Sequence, residues 1–364
     1  MSASTCDLAE CGVESRVHPC SLCSDLETEL FCSAECLHRH KTAQHAHQYF
    51  SHVISRMTSL AAKLALEAAA ANYKYRLLAA EVLEDTRYLV FAPLEQPRNE
   101  CKLFPGSQTI ADGDKRAATL WETCIACVHH TARPLVWLAE DFDVSICELS
   151  ILGPKPAVPI QAWLMWSVSA PSVEVRNSDT HRVICIAPGA LPLEDIANDP
   201  ASIILDPSHH QYGFASHHSA TTSYIQANTK SSAKIEALQL GDSIDFMMNI
   251  TQNPEAIVIA RAFAHGHLLA GMRIENTVFD MIKNEGGRRW LLEMADDDYT
   301  LVENRIVQAV AAGLGKLRTN LDEVIFHSES ADDLQARMNS LYAESECEGW
   351  QAMGASYERY LRRS

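Results

Sequence analysis

One segment, residues 6–47, constrains the fold of this chain more than any other. Six of the twelve cysteines stand here in three close pairs, and a run of histidines follows them. The candidate metal ligands are Cys6, Cys11, Cys20, Cys23, Cys32, Cys36, His40, His45 and His47. Zinc takes four tetrahedral ligands, typically cysteine thiolates and histidine nitrogens, and two cysteines in one short turn suit a single ion. Six thiols and two histidines therefore predict two structural zinc ions, with buried free cysteines as the alternative.

The end of this segment resembles a known type of zinc finger. Phe31 and the run Cys32-Ser33-Ala34-Glu35-Cys36 match the Y/F-C-S-x-x-C signature of MYND-type fingers. The segment is also similar to HIT-type fingers and to the finger at the start of some methionine aminopeptidases, which its Cys-x4-Cys opening resembles most. The resemblance implies a peptide-binding module, because MYND fingers commonly bind short proline-containing peptides.

The resemblance also implies how the ligands are shared between the two ions. Ligands interleave in such fingers, which gives one zinc ion Cys6, Cys11, Cys32 and Cys36, and the other Cys20, Cys23 and two histidines. A MYND finger would place its last two ligands at positions 44 and 48, which are Gln44 and Gln48 here. A HIT-type ending would use His40, and His45 follows one residue late. We therefore assign His40 and His45 to the second ion, with His47 as the alternative to His45.

Length and charge narrow the function further. The chain has 364 residues, of which 47% are hydrophobic, so we expect the finger plus one or two packed domains. Its net charge of −17 argues against nucleic-acid binding, which needs lysine and arginine to displace counterions. No stretch reaches the ~18 consecutive apolar residues of a membrane span. The N-terminus lacks the parts of a secretory signal, so we expect reduced cysteines in the cytoplasm or the nucleus.

The rest of the chain favours mixed secondary structure. An apolar stripe predicts a helix over residues 51–80, and a short strand follows at 88–91. Further helices are predicted over 115–138, with a possible break at Pro134, and over 256–282 and 299–318, with another that starts at Ser330. Apolar runs predict antiparallel strands at 161–169, 173–176, 181–186 and 202–205. Much of the polar region 206–229 is expected at the surface. These elements suggest a finger at 1–50, a linking segment at 51–95, an α+β domain at 96–295 and a helical part at 296–364.

Cys124 and Cys127 form a C-x-x-C pair whose chemistry depends on its place in a helix. Leu120, Cys124 and Val128 recur at helical spacing, which places both thiols inside the helix predicted over residues 115–138. A redox or catalytic pair would sit at a helix N-terminus, where the dipole lowers the pKa of a thiol. Thiols in the middle of an apolar helix are typical of a core. The sequence therefore favours buried core cysteines, with redox chemistry as the alternative.

A second candidate for chemistry follows the strand at 202–205. Residues 206–213 read Asp-Pro-Ser-His-His-Gln-Tyr-Gly, similar to a D-x-S/T-x-x-Q-F/Y-G pattern of fungal MYND-finger proteins and of some papain- or transglutaminase-like domains. In those enzymes a cysteine at a helix start, a histidine at a strand start and a later aspartate form the catalytic set. His181 and Asp206 occur in that order, but Cys101, Cys124, Cys127 and Cys147 stand in no recognisable nucleophile context. We therefore assign no catalytic residue, and predict that Asp206 and Gly213 form a turn.

Together these features predict a small two-zinc MYND-like finger plus an α+β domain with an antiparallel sheet and a helical C-terminal part. We expect a zinc-binding intracellular adaptor whose finger binds a protein or peptide partner, with neither a membrane nor a nucleic acid as partner. The alternative is a papain- or transglutaminase-like cysteine hydrolase or transferase that uses His181 and Asp206.

Overall fold

The structure is a computed structural model. It describes residues 11, 18–19, 30–31, 33–73, 75–93, 110–157, 159–165, 173–175, 179–253, 258–328 and 330–363. The chain divides into two compact units, an N-terminal unit, Met1–Arg56, and a C-terminal unit, Met57–Ser364. The strands are β1 (His18–Pro19), β2 (Leu30–Phe31), β3 (Tyr75–Leu83), β4 (Thr86–Pro93), β5 (Val144–Pro154), β6 (Ile160–Leu164), β7 (Val173–Val175), β8 (Thr180–Pro188), β9 (Ile203–Leu205), β10 (His218–Ala220) and β11 (Thr229–Leu238). The helices are α1 (Ala34–Gln44), α2 (Ala46–Ala71), α3 (Asp112–Thr119), α4 (Cys124–Ala139), α5 (Leu193–Ile196), α6 (Thr221–Asn228), α7 (Asp242–Gln252), α8 (Val258–Glu285), α9 (Arg288–Glu293), α10 (Asp296–His327), α11 (Ala331–Ser345) and α12 (Glu348–Leu361).

The N-terminal unit contains a short antiparallel pair, β1 with β2, followed by helix α1. The hydroxyl of Ser33 caps α1 by accepting a hydrogen bond from the backbone N–H of Cys36 at 3.2 Å. The ring of Phe31 is buried and lies 4.7 Å from the ring of His40. Cys36 and His40 are one turn apart on α1, as the sequence predicts for this helix.

Two sheets form the β part of the C-terminal unit within the described residues. One has the order β10-β9-β8-β5-β11 and is antiparallel throughout. The other has the order β3-β4-β6-β7, in which β4 and β6 are parallel. The predicted strands thus divide between two sheets. The α+β class with antiparallel-rich sheets and a helical C-terminal region is confirmed for the described residues.

Helix α4 lies at the centre of the C-terminal unit. Every residue of α4 except Ile125 and Arg133 is buried, including the polar His129, His130 and Thr131. It packs against strand β8 and against helices α7, α8 and α12. The sheet that contains β8 is buried on its other face by an apolar cluster that includes Leu149, Val183 and Tyr224. This burial fixes α4 against β8, the two elements that carry the site described below.

Some predicted boundaries are wrong for identifiable reasons. The helix predicted over 51–80 ends at Ala71, and the side-chain amide of Asn72 donates to the Phe263 carbonyl at 3.2 Å. Strand β3 follows, where pairing with β4 overrides the weak strand propensity of Ala79 and Ala80. The Ser330 N-cap is confirmed, since its hydroxyl accepts from the backbone N–H of Asp333 at 3.1 Å. Among the described residues, no helix combines the length and the apolarity needed to cross a bilayer.

Candidate active site

The thiol of Cys124 lies at the start of a buried helix. Helix α3 ends at Thr119, and the turn that follows contains Glu122 in the left-handed region, with φ 60°. Helix α4 begins at Cys124, directly after its N-cap residue Thr123. The N-terminus of a helix bears a partial positive charge, which favours a thiolate over a thiol. The predicted mid-helix position of Cys124 is therefore wrong, and the residue stands at a helix start.

The error has a physical cause. A left-handed residue costs free energy unless its surroundings fix it, and nothing in the apolar spacing around Glu122 reveals it. Pro134, where a break was predicted, lies inside α4 instead. A proline there cannot donate to the carbonyl of the residue four positions earlier, so the helix continues because its packing outweighs this loss. The only sequence signal for the true helix start is Thr123, a residue type favoured at N-caps.

His181 and Asp206 lie side by side at one end of the paired strands β8 and β9. His181 is the second residue of β8, and Asp206 directly follows β9. Because β8 and β9 are antiparallel, the end of β9 lies beside the start of β8. The His181 Nε2 atom is 2.9 Å from the Asp206 Oδ2 atom, and the two side chains are 1% and 0% exposed. The predicted positions of His181 at a strand start and of Asp206 after a later strand are both confirmed.

Four donors surround the carboxylate of Asp206. The hydroxyl of Tyr224 donates to Oδ2 at 2.6 Å, the same oxygen that His181 contacts. The backbone N–H and the hydroxyl of Ser208 donate to Oδ1 at 3.1 and 3.2 Å. Burial alone raises the pKa of Asp206, but the charge and hydrogen bond of His181, with that of Tyr224, lower it below its ordinary value. Asp206 is therefore a fully hydrogen-bonded, ionised carboxylate.

This carboxylate governs the charge of His181. Burial lowers the pKa of the imidazole, yet the charge and the hydrogen bond of Asp206, helped by Cys124, raise it to about 9. The ring of Tyr212 meets His181 edge-on, with 4.5 Å between centroids, and restricts its rotation. His181 is thus an oriented imidazolium at neutral pH.

The charge of His181 lowers the pKa of the Cys124 thiol. Burial raises the pKa of its thiol, but the hydrogen bond and charge of His181 and the backbone N–H of Arg182 lower it below its ordinary value. Burial raises the pKa of the neighbouring Cys127 to about 12. The structure therefore brings Cys124, His181 and Asp206 together, with the pKa of the thiol lowered, that of the imidazole raised and that of the carboxyl lowered.

Residues 206–213 supply hydrogen bonds around Asp206 and a polar side chain beside His181. The amide Nε2 of Gln211 donates to the Ser208 hydroxyl at 3.3 Å, and it lies 3.5 Å from His181 Nδ1. Gly213 ends the short 3-10 helix His209–Tyr212 with φ 70°, as the predicted turn requires. Much of region 206–229 was expected at the surface, but Asp206, Ser208 and Gln211 within it are fully buried. Ser208 donates to Asp206 and Gln211 donates to Ser208, so these polar side chains are buried within a hydrogen-bond network that their composition does not reveal.

The other cysteines considered as nucleophiles are in different positions. Cys101 lies outside the described residues. Cys147 is paired with Cys185 across β5 and β8, and that neighbour together with burial raises its pKa far above the ordinary range. A thiol held protonated in this way is a core residue and not a nucleophile.

The predicted zinc ligands are described only in part. Cys6, Cys20, Cys23 and Cys32 lie outside the described residues. The sulfurs of Cys11 and Cys36 are 3.5 Å apart. Two thiolates on one tetrahedral zinc ion with bonds of ~2.3 Å would be ~3.8 Å apart, so this pair fits the predicted first site. No three metal-ligating side chains converge within the described residues, which hold only part of each proposed ligand set.

A cavity of about 460 Å³ lies at the opposite end of α4. Its lining includes Glu140, Leu191 and Tyr360. Cys124 is the first residue of α4 and Ala139 the last, which separates the cavity from the thiol by roughly 20 Å of helix. The cavity is therefore not a substrate pocket for Cys124. No family model, curated protein or solved structure matches the chain.

Proposed function

We propose that the C-terminal unit is a cysteine-dependent hydrolase or acyltransferase with Cys124 as nucleophile. The observation that carries this proposal is the buried contact of His181 Nε2 with Asp206 Oδ2 at 2.9 Å, beside a thiol at a helix N-terminus. Nucleophilic catalysis needs an activated thiol, a base within reach and a third group that orients the base. Cys124, His181 and Asp206 supply these three roles.

The proposed reaction is transfer of an acyl group from an amide, ester or thioester. The Cys124 thiolate attacks the carbonyl carbon, and the His181 imidazolium gives its proton to the leaving group. This leaves an acyl thioester on Cys124 and a neutral imidazole. His181 then takes a proton from water or from a second nucleophile, which attacks the thioester and releases the product. Asp206 holds the imidazole and stabilises its charged form throughout, without taking the proton.

Alkylation of Cys124 as a function of pH tests this proposal. Iodoacetamide should modify Cys124 rapidly near pH 6, because only a thiolate reacts, and His181→Ala should slow that reaction. Cleavage at Glu122 and Glu140 by a glutamate-specific protease gives the peptide 123–140, whose cysteines are Cys124 and Cys127 alone. Its mass spectrum therefore reports directly on the site.

The exposed Cys347 provides a comparison within the same chain, because it directly precedes helix α12 and lies outside the set formed by Cys124, His181 and Asp206. Its rate of alkylation at each pH, measured on the same samples, gives the reference profile, and His181→Ala should leave that profile unchanged. Equal pH profiles for Cys124 and Cys347 would remove the basis of the proposal.

We also propose that the N-terminal unit is a zinc-stapled finger that binds a peptide of a partner protein. The spacing of Cys11 and Cys36 favours it, and so does the geometry of the assigned histidines. The rings of His40 and His45 are 5.0 Å apart, and His45 Nδ1 is 3.0 Å from Gln48 Oε1. Zinc-ligating histidines typically donate one ring N–H in this way and bind the metal with the other nitrogen.

This second role is compatible with the first, and both require reduced thiols, in the cytoplasm or the nucleus. Elemental analysis of purified reduced protein should give two zinc ions per chain, because the six thiols and two histidines complete two tetrahedral sets. One ion or none would exclude the interleaved two-site arrangement and leave the proposed chemistry of Cys124 untouched.

A further inference from the structure

The pairing of Cys124 with Cys127 is not used by acyl transfer. Cys124 is the first residue of α4, and Cys127 lies one turn later. The rise and radius of an α-helix place the Cα atoms of residues i and i+3 ~5 Å apart. Disulfides span Cα separations of roughly 4.4–6.8 Å. The backbone of α4 therefore already holds the two cysteines at a distance that a disulfide can bridge.

The two thiols differ in a way that sets an order of reaction. Cys124 is 4% exposed and Cys127 is 0% exposed, so a small oxidant from solvent reaches Cys124 first. Cys127 Sγ lies 3.5 Å from the hydroxyl of Thr123, and burial keeps this sulfur as a neutral thiol. An activated thiolate next to a shielded thiol is the arrangement in which the first sulfur is oxidised and the second resolves it.

We propose that Cys127 is the resolving cysteine of a reversible redox switch on Cys124, with a peroxide as the oxidant. The switch rests on the reactive Cys124 of the proposed function, but it needs no acyl transfer. It assigns Cys127 a role that neither the zinc finger nor the catalytic set requires.

The switch proceeds in two steps. The Cys124 thiolate attacks one peroxide oxygen, an S–O bond forms and the O–O bond breaks. This oxidises the sulfur to a sulfenic acid by two electrons and reduces the peroxide to water or an alcohol, with one added proton. Cys127 then attacks the Cys124 sulfur, so that an S–S bond forms, the S–O bond breaks, and the leaving hydroxide takes the Cys127 proton to become water.

The consequence is a protected, inactive state. The disulfide removes the nucleophile, so acyl transfer stops while the bond persists. It also removes the sulfenic acid, which more peroxide would otherwise carry to the irreversible sulfinic and sulfonic acids. A dithiol reductant restores both thiols by exchange through a mixed disulfide.

Peroxide treatment of the full-length protein tests the switch. After exposure to hydrogen peroxide, the remaining thiols are blocked with iodoacetamide, and the mass of the peptide 123–140 is measured by mass spectrometry. We expect a peptide that is lighter by two hydrogens and carries no alkyl group, and that dithiothreitol returns to two alkylatable thiols. A Cys124 that gains two or three oxygens, or that stays fully alkylatable, would overturn the proposal.

The variant Cys127→Ala tests the resolving role of Cys127 independently. In Cys127→Ala the same treatment should carry Cys124 to sulfinic acid, and dithiothreitol should no longer restore its alkylation. Cys347→Ala is the matched control and should behave as the wild type, because Cys347 is exposed and distant in sequence. Recovery in Cys127→Ala equal to wild type would contradict a resolving role. Acylation of Cys124 by an activated ester, measured on the same untreated protein, shows separately whether the proposed function stands.

Discussion

Replacement of Asp206 by asparagine is the sharpest perturbation of the candidate site. The variant keeps the size and shape of the side chain and removes its charge. Asp206 is the first cause that raises the pKa of His181 from 6.5 to about 9. At 1.36 kcal/mol for each pKa unit, that rise corresponds to ~3 kcal/mol of interaction with the imidazolium. This agrees with the roughly 3–5 kcal/mol expected when one partner of a buried ion pair is lost.

Removal of the Asp206 charge should change the pKa of His181 and, through it, the pKa of the Cys124 thiol. Without Asp206, burial lowers the pKa of His181, and the ring is neutral at pH 7. Cys124 then lacks its cationic partner, and burial raises the pKa of its thiol. Each unit of that rise slows alkylation at pH 6 by about threefold, after the higher nucleophilicity of a more basic thiolate is counted. We expect an overall fall of roughly tenfold or more for Asp206→Asn.

Two assays check this prediction. Urea denaturation of Asp206→Asn should show a loss of ~3 kcal/mol in the free energy of unfolding. Alkylation of the peptide 123–140 at pH 6 gives the rate. Asp141→Asn is the matched control, because it removes a partly exposed carboxylate that pairs with Arg288 near the far end of α4. An alkylation rate in Asp206→Asn equal to that of the control would refute the reasoning.

Three further predictions follow. Tyr224→Phe removes the hydroxyl that donates to Asp206 Oδ2 at 2.6 Å, and should cost ~1.5–3 kcal/mol in unfolding free energy. In the Cys124→Ala variant, Asp206 still holds the pKa of His181 above 6.5, so the native state binds this proton more tightly than the unfolded state. The stability it contributes should be complete below pH ~6.5 and should fall as the pH rises toward about 9. His40→Ala should lower the zinc affinity of the second site more than His47→Ala does. Competition for zinc with a chelator measures both affinities.

Each of these has its own control. Tyr88→Phe removes the hydroxyl of a tyrosine on strand β4, outside the site, and should leave stability within ~0.5 kcal/mol of wild type. The double variant Cys124→Ala/Asp206→Asn should lose the decline in stability above pH 6.5, so persistence of that decline would assign it to another group. A zinc ion lost in His47→Ala but retained in His40→Ala would reverse the assignment of the second site.

The sequence offered His181 and Asp206 only as an alternative, and it placed the third member of the candidate site wrongly for a definite reason. The resemblance to papain- or transglutaminase-like domains singled out His181 and Asp206, and strand periodicity with a turn signal placed them at the start of β8 and after β9. Cys124 was placed wrongly because Leu120, Cys124 and Val128 keep helical spacing across the break at Glu122. Hydrophobic spacing reports which face is buried, and not whether the backbone is continuous.

The residues that hydrogen-bond around Asp206 could not be predicted from the sequence, for a different reason. Ser208, Gln211 and Tyr224 are buried because they hydrogen-bond around Asp206, an arrangement that depends on β8, β9 and α6 being packed together. Composition instead indicated a polar surface region. The α+β class and the helical C-terminal part were predictable because long periodic segments carry their own signal, as in α8 and α10.

Capture of an acyl group on Cys124 tests the central claim most directly. The intact protein is mixed with an activated ester such as p-nitrophenyl acetate, quenched in acid and cleaved to the peptide 123–140. Our account predicts an acetyl thioester on Cys124 that forms rapidly near pH 6, forms slowly in His181→Ala and is absent in Cys124→Ala. Failure of Cys124 to acquire the acyl group, or acylation no faster than at the exposed Cys347, would contradict it.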